Sequence, residues 1–64
     1  MPKYQVEEMS GDTVTATHIV NATTPIRAAR EATERDVTLR TGEPIWIRVT
    51  DETRRHIFEY SFSL

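Results

Sequence analysis

Thr24-Pro25-Ile26-Arg27-Ala28-Ala29-Arg30-Glu31-Ala32-Thr33-Glu34-Arg35 is the stretch on which the reading of this chain turns, because it is the only convincing helix in the sequence. Thr24 suits an N-cap, since its hydroxyl can accept from a backbone N–H that lacks a helical partner. Pro25 then occupies the first helical position, where its missing N–H costs nothing and its fixed φ suits the helix. Three alanines, with arginines and glutamates, supply high propensity. At about 100° per residue, Ile26, Ala28, Ala29, Ala32 and Thr33 share one side. Arg27, Arg30, Glu31, Glu34 and Arg35 share the other. Arg27 with Glu31, Arg30 with Glu34 and Glu31 with Arg35 are spaced for pairs worth about 0.2–0.5 kcal/mol each. The apolar side is mostly alanine, so the helix can lie close to a sheet whose strands supply the bulk. No glycine closes the helix, and it is expected to fade untidily at Arg35-Asp36.

Upstream, Lys3 to Met9 reads as a strand with Tyr4 and Val6 on one face and Lys3, Gln5 and Glu7 on the other. Ser10-Gly11-Asp12 is a turn cluster. Thr13 to Ala22 is rich in Thr, Val and Ile and reads as a second strand. Val14, Ala16, His18 and Val20 share one face, and Thr13, Thr15, Thr17 and Ile19 the other. A three-residue loop pairs Val6 with Ala16 and Tyr4 with His18, keeping the apolar sets together. A two-residue loop pairs Tyr4 with Ile19 and flips the register. The first is preferred.

Downstream, Val37-Thr38-Leu39-Arg40 reads as either a short strand or an extended return, and Thr41-Gly42-Glu43-Pro44 as a turn. Ile45 to Thr50 is the clearest strand, with Ile45, Ile47 and Val49 opposed to Trp46, Arg48 and Thr50. Asp51 to Arg54 makes the reversal. Arg55 to Ser63 is the last strand, with His56, Phe58, Tyr60 and Phe62 on one face and Ile57, Glu59, Ser61 and Ser63 on the other. The expected register sets Ile47 opposite Phe58, Ile45 opposite Tyr60, Trp46 opposite Glu59 and Arg48 opposite Ile57.

Neither hairpin is stable alone. The order hairpin, helix, hairpin therefore predicts an α+β fold: a ββαββ two-layer domain, with a mainly antiparallel four-stranded sheet and one helix on one face. The expected core is Tyr4, Val6, Val14, Ala16, Val20, Ile26, Ala29, Ile45, Ile47, Val49, Phe58, Tyr60 and Phe62. No repeat or linker interrupts residues 1–64, which read as a single small domain.

At 64 residues the chain buries only about 60% of its extended surface. It has no cysteine, which removes disulfides, thiolate zinc sites and thiol nucleophiles and favours a cytoplasmic home. No signal-peptide core opens the sequence, and no apolar run approaches a membrane span. The net charge of −2 argues against a general polyanion binder. Seven arginines and one lysine carry the positive charge, interleaved with acids in the manner of a solvated face.

The residues that could carry chemistry are sparse. His18 and His56 lack metal-ligand spacing, and each reads as a core-edge histidine with one ring nitrogen in water. Ser10, Ser61 and Ser63 lack the context of an activated nucleophile. Gly11 and Gly42 are isolated and form no phosphate-cradling loop. Asn21-Ala22-Thr23 matches a glycosylation acceptor, which matters only in a secretory pathway. Catalytic residues, metal ligands and cofactors are accordingly expected to be none, and an enzyme is the least expected class.

One helix covers one face of a sheet, so the other face must meet water or a partner. Trp46, Arg48, Ile57 and Ile19 fall there, with the threonines 13, 15 and 17, in the residue mix of an interface centre. Leu64 and Phe62 could extend that surface or pair an edge strand. The expected function is a small non-enzymatic interaction module, with a second copy or another protein as partner. The alternative is single-stranded nucleic acid stacked on Trp46 and Arg48, with Arg40, Arg54 and Arg55 on phosphates. Against it stand the acidic balance and the single outward aromatic.

Overall fold

The computed structural model describes residues 2–63. The elements run β1 (Lys3–Ser10), β2 (Thr13–Asn21), α1 (Pro25–Thr33), β3 (Val37–Leu39), β4 (Ile45–Asp51) and β5 (His56–Phe62). Leu64, expected to add to the outer surface, lies outside the described residues.

Thr24 caps α1 from an extended conformation, its Oγ1 accepting the Arg27 N–H at 3.3 Å, and Pro25 opens the first turn. The exit is tidier and earlier than expected. Glu34 takes the left-handed conformation at φ 56° that a glycine would normally supply, and its N–H donates to the Arg30 carbonyl at 2.8 Å. Arg35 is thereby released from the helix, and its guanidinium lies 3.9 Å over the Phe62 ring. The three ion pairs among the described residues all involve sheet or loop residues, and none of the spaced helical pairs closes.

The sheet has five strands rather than four, all antiparallel, in the order β2-β1-β4-β5-β3. Val37 to Leu39 joins it as an edge, Val37 beside Phe62 and Leu39 beside Tyr60. The hairpins meet along β1 and β4, so α1 carries the chain from one sheet edge to the other. Tyr4, Val6, Ala22, Ala28, Ala29, Val37, Ile47, Val49 and Tyr60 form the core beneath it. Burial from water pushes the Tyr60 phenol above its ordinary pKa, with Tyr4 adding to the shift.

Both hairpin registers differ from expectation. The first turn is the two-residue Gly11-Asp12, with Gly11 at φ 59°, a conformation suited to glycine at the first central position. That turn alone would flip the strand. The flip is reversed where Glu8 pairs with Ala16 but Met9 with Val14, leaving Thr15 as a bulge residue whose hydroxyl donates to the Glu8 carbonyl at 3.0 Å. Tyr4 then faces Val20 and Val6 faces His18, so the apolar sets still coincide. Val14 falls on the far side of the bulge and is exposed instead of joining the core.

In the second hairpin the faces are as expected but the register is displaced by one repeat. Ile47 faces Tyr60, Val49 faces Phe58, Arg48 faces Glu59 and Thr50 faces Ile57. The cause is Asp51. It stays in the strand opposite His56, and its buried carboxylate accepts the N–H groups of Thr53 and Arg54 at 3.1 and 3.2 Å. The turn therefore falls on Glu52 to Arg55, with Arg55 at φ 58°. Ile45, also expected in the core, is left exposed at the start of β4.

Candidate functional site

The face away from α1 is built in rows across the strands. The central row is charged. Thr17, Glu7, Arg48 and Glu59 stand side by side in register on β2, β1, β4 and β5. Arg48 Nε donates to Glu7 Oε1 at 2.8 Å, and Arg40 donates to Glu59 Oε1 at 2.9 Å. Glu7 is buried, and its hydrogen bond holds the Arg48 guanidinium above its ordinary pKa. Acids and arginines thus alternate, Glu7, Arg48, Glu59 and Arg40, so no excess of one sign faces outward.

The second row is apolar, closed at Met9 and Trp46 and open at Val14. Val14, Met9 and Trp46 lie in register. Trp46 is on the expected face yet only 5% exposed, and Met9 beside it only 2%. Two contacts engage the indole, and a third braces them. Its Nε1–H donates to the Gly11 carbonyl at 2.9 Å. The Gly11 N–H in turn donates to the Pro44 carbonyl at 2.7 Å, tying the first turn to the β3–β4 connection. The Arg40 guanidinium lies 3.9 Å over the ring.

Residues 40–44 act as a strap across this end of the sheet. The buried Ser61 hydroxyl accepts the Thr41 N–H at 3.0 Å and donates to Glu43 Oε2 at 3.0 Å, while Thr41 Oγ1 donates to the same carboxylate. These donors, the Thr41 hydroxyl foremost, hold the Glu43 carboxyl below its ordinary pKa. Nothing in a turn-forming run such as Thr41-Gly42-Glu43-Pro44 announces a strap. A readable signal did exist in Met9 and Trp46, two large apolar residues at positions whose alternation points to the wetter face.

The third row runs Ile19, Gln5, Thr50 and Ile57. Its two ends are, among the described residues, the most open apolar groups of this face: Ile19 is 57% exposed and Ile57 62%, against 41% for Val14. Of the expected interface residues, the structure therefore closes in Trp46, pairs Arg48, and leaves Ile19 and Ile57 in water at opposite flanks. The expected phosphate contacts do not cluster. Arg40 is engaged by Trp46 and Glu59, whereas Arg54 and Arg55 sit exposed in the Glu52 to Arg55 turn. The five residue steps of β4 from Trp46 to Asp51 put that turn about 17 Å away at about 3.4 Å per residue.

His18 lies on the helix side of the sheet, where its Nε2 meets Glu8 Oε2 at 2.8 Å. His56 meets Phe58 edge to face with centroids 6.3 Å apart. Among the described residues no group of three or more His, Cys, Asp or Glu is placed to hold a metal ion. A shallow cleft of about 410 Å³ opens on the helix side between Arg35, Glu43, Pro44, Ile45 and Phe62. No helix among the described residues is long and apolar enough to cross a membrane. Comparison with known proteins gives no match: no family model, no curated protein and no solved structure resembles the chain.

Proposed function

We propose that the protein is a small non-enzymatic interaction module that self-associates through the outer face of its sheet or through an edge strand. The observation that carries this reading is the exposure of Ile19 and Ile57, at 57% and 62%, on the face that α1 leaves uncovered. Ile19 also lies on a strand with one edge unpartnered among the described residues. Light scattering on a sizing column at tens of micromolar, in low and moderate salt, tests it. A dimer that persists in moderate salt is the expected result, and at least one of Ile19→Asp and Ile57→Asp should lower the mass while circular dichroism is unchanged. A wild-type monomer at every concentration overturns the reading.

The competing reading, single-stranded nucleic acid, draws its support from Arg54 and Arg55, which are exposed and, among the described residues, join no ion pair. It must do without a free stacking platform, because Arg40 already covers Trp46. Retardation of mixed single-stranded DNA or RNA at low salt, falling steeply as salt rises, would favour it. No retardation at low salt removes it.

A further inference from the structure

We infer that self-association runs through β2: two copies pair antiparallel along Thr13–Asn21 about a two-fold axis, merging two five-stranded sheets into one. The inference rests on the self-association reading and names its seam.

The sheet has two free edges of unequal character. β3 is three residues long, and a very short edge offers little backbone to another chain. β2 is nine residues long. Along an edge strand, backbone N–H and C=O groups point outward with no partner, and what satisfies them best is another extended backbone. Of the devices that normally blunt such an edge, β2 carries one, the bulge at Thr15 near its start, and lacks the others. Thr13 to Asn21 contains no proline, lysine, arginine, aspartate or glutamate. Its single titratable side chain, His18, is turned to the helix side and engaged by Glu8. The bulge at Thr15 interrupts the ladder near one end and leaves 16–21 regular.

The same segment suits a copy of itself. A two-fold axis perpendicular to the sheet sets outer side chains against outer ones and helix-side against helix-side. The outer set of the regular part is Thr17, Ile19 and Asn21, and the helix-side set is Ala16, His18 and Val20. Both are small or β-branched apart from His18 and Asn21, and no fixed charge meets its like. Ile19 of each copy moves from water toward the seam. A standard stable interface takes about 800 Å² from each partner, roughly a fifth of the 4269 Å² that this chain exposes. An edge seam is smaller than that, so the dimer is weak and its population rises with concentration.

The absence of cysteine makes a single introduced thiol a unique reporter. Thr17→Cys, Ile19→Cys and Asn21→Cys sample β2 from its middle to its end, while Thr38→Cys and Ile57→Cys sample the other edge and the outer face. Mild air oxidation at high protein concentration should give disulfide dimers at Thr17 or Ile19, and little at Asn21, Thr38 or Ile57. In parallel, Thr17→Lys should raise the dimer dissociation constant at least tenfold by light scattering, with unchanged circular dichroism. A dimer that crosslinks through Thr38 or Ile57, or that crosslinks equally everywhere, overturns the seam but leaves self-association standing. So does a dimer indifferent to Thr17→Lys. A monomer at every concentration overturns both.

Discussion

The Arg40 guanidinium lies 3.9 Å above the Trp46 ring and at the same time donates to Glu59 at 2.9 Å. A cation over an indole face is attracted by the ring's negative quadrupole, and the carboxylate beside it fixes where that cation sits. The two contacts together close the one aromatic position of the outer face that could have served as a platform. They also join a loop residue to β4 and β5 at once.

Removing that cover should be visible without unfolding the protein. Arg40→Ala is expected to shift Trp46 emission to longer wavelength and to increase its quenching by acrylamide. The loss of stability should be about 0.5–1 kcal/mol, as for a partly exposed cation–π contact, measured by urea denaturation. Trp46 is the only tryptophan, so the signal has one source.

Acid should loosen the strap before it unfolds the sheet. The Glu43 carboxyl is held below its ordinary pKa by the Thr41 and Ser61 hydroxyls and its own backbone N–H. Its contribution is therefore fully present above the ordinary glutamate pKa of about 4.3. It is lost as the pH falls through the lower folded value. Trp46 emission followed from neutral pH downward should show a step below that ordinary value. Glu43→Gln should remove the step.

The bulge predicts an unusual tolerance. Deleting Thr15 keeps Met9 with Val14 and Glu8 with Ala16, and places every side chain on its present face. That variant should fold, losing about 1 kcal/mol for one hydrogen bond. Deleting Thr17 instead moves one part of β2 by one residue relative to the other and turns apolar side chains to the wrong face. It should fail to give a cooperative transition. Thermal melts of the two deletions decide the point.

Two isoleucines separate core from surface. Ile47 is 0% exposed and Ile57 62%. Ile47→Ala should cost about 2–5 kcal/mol, a large share of the roughly 3–10 kcal/mol available to a chain of this size. Ile57→Ala should cost less than about 0.5 kcal/mol. Chemical denaturation curves of the two variants, measured at low concentration, check both values.

The helix and the two hairpins were legible because each rests on local chemistry: a Thr-Pro cap, alanine spacing and β-branched alternation. The registers were not, because each was set by a single residue acting on the backbone. Thr15 inserts itself into β2, and Asp51 accepts two N–H groups and moves the second turn onward by one residue. The fifth strand is not decidable from the sequence because three residues carry too little periodicity, and its place follows from the path of α1 across the sheet. At the outer face, Ile19, Ile57 and Trp46 fell on the expected side. The closing of Trp46 depends on Arg40, Gly11 and Pro44, which local pattern does not link to it.

The seam between β1 and β4 has a consequence for how the chain folds. Each hairpin closes over a short turn, whereas Glu7 and Arg48 meet from 41 residues apart. Loop closure makes that pairing the costly step. Val6 and Val49, paired next to the central Glu7 and Arg48 and both fully buried, should therefore slow refolding when truncated, rather than only speed unfolding. Until the seam forms, β1 and β4 each present a bare edge, and the chain is then most exposed to pairing with a neighbour instead of with itself.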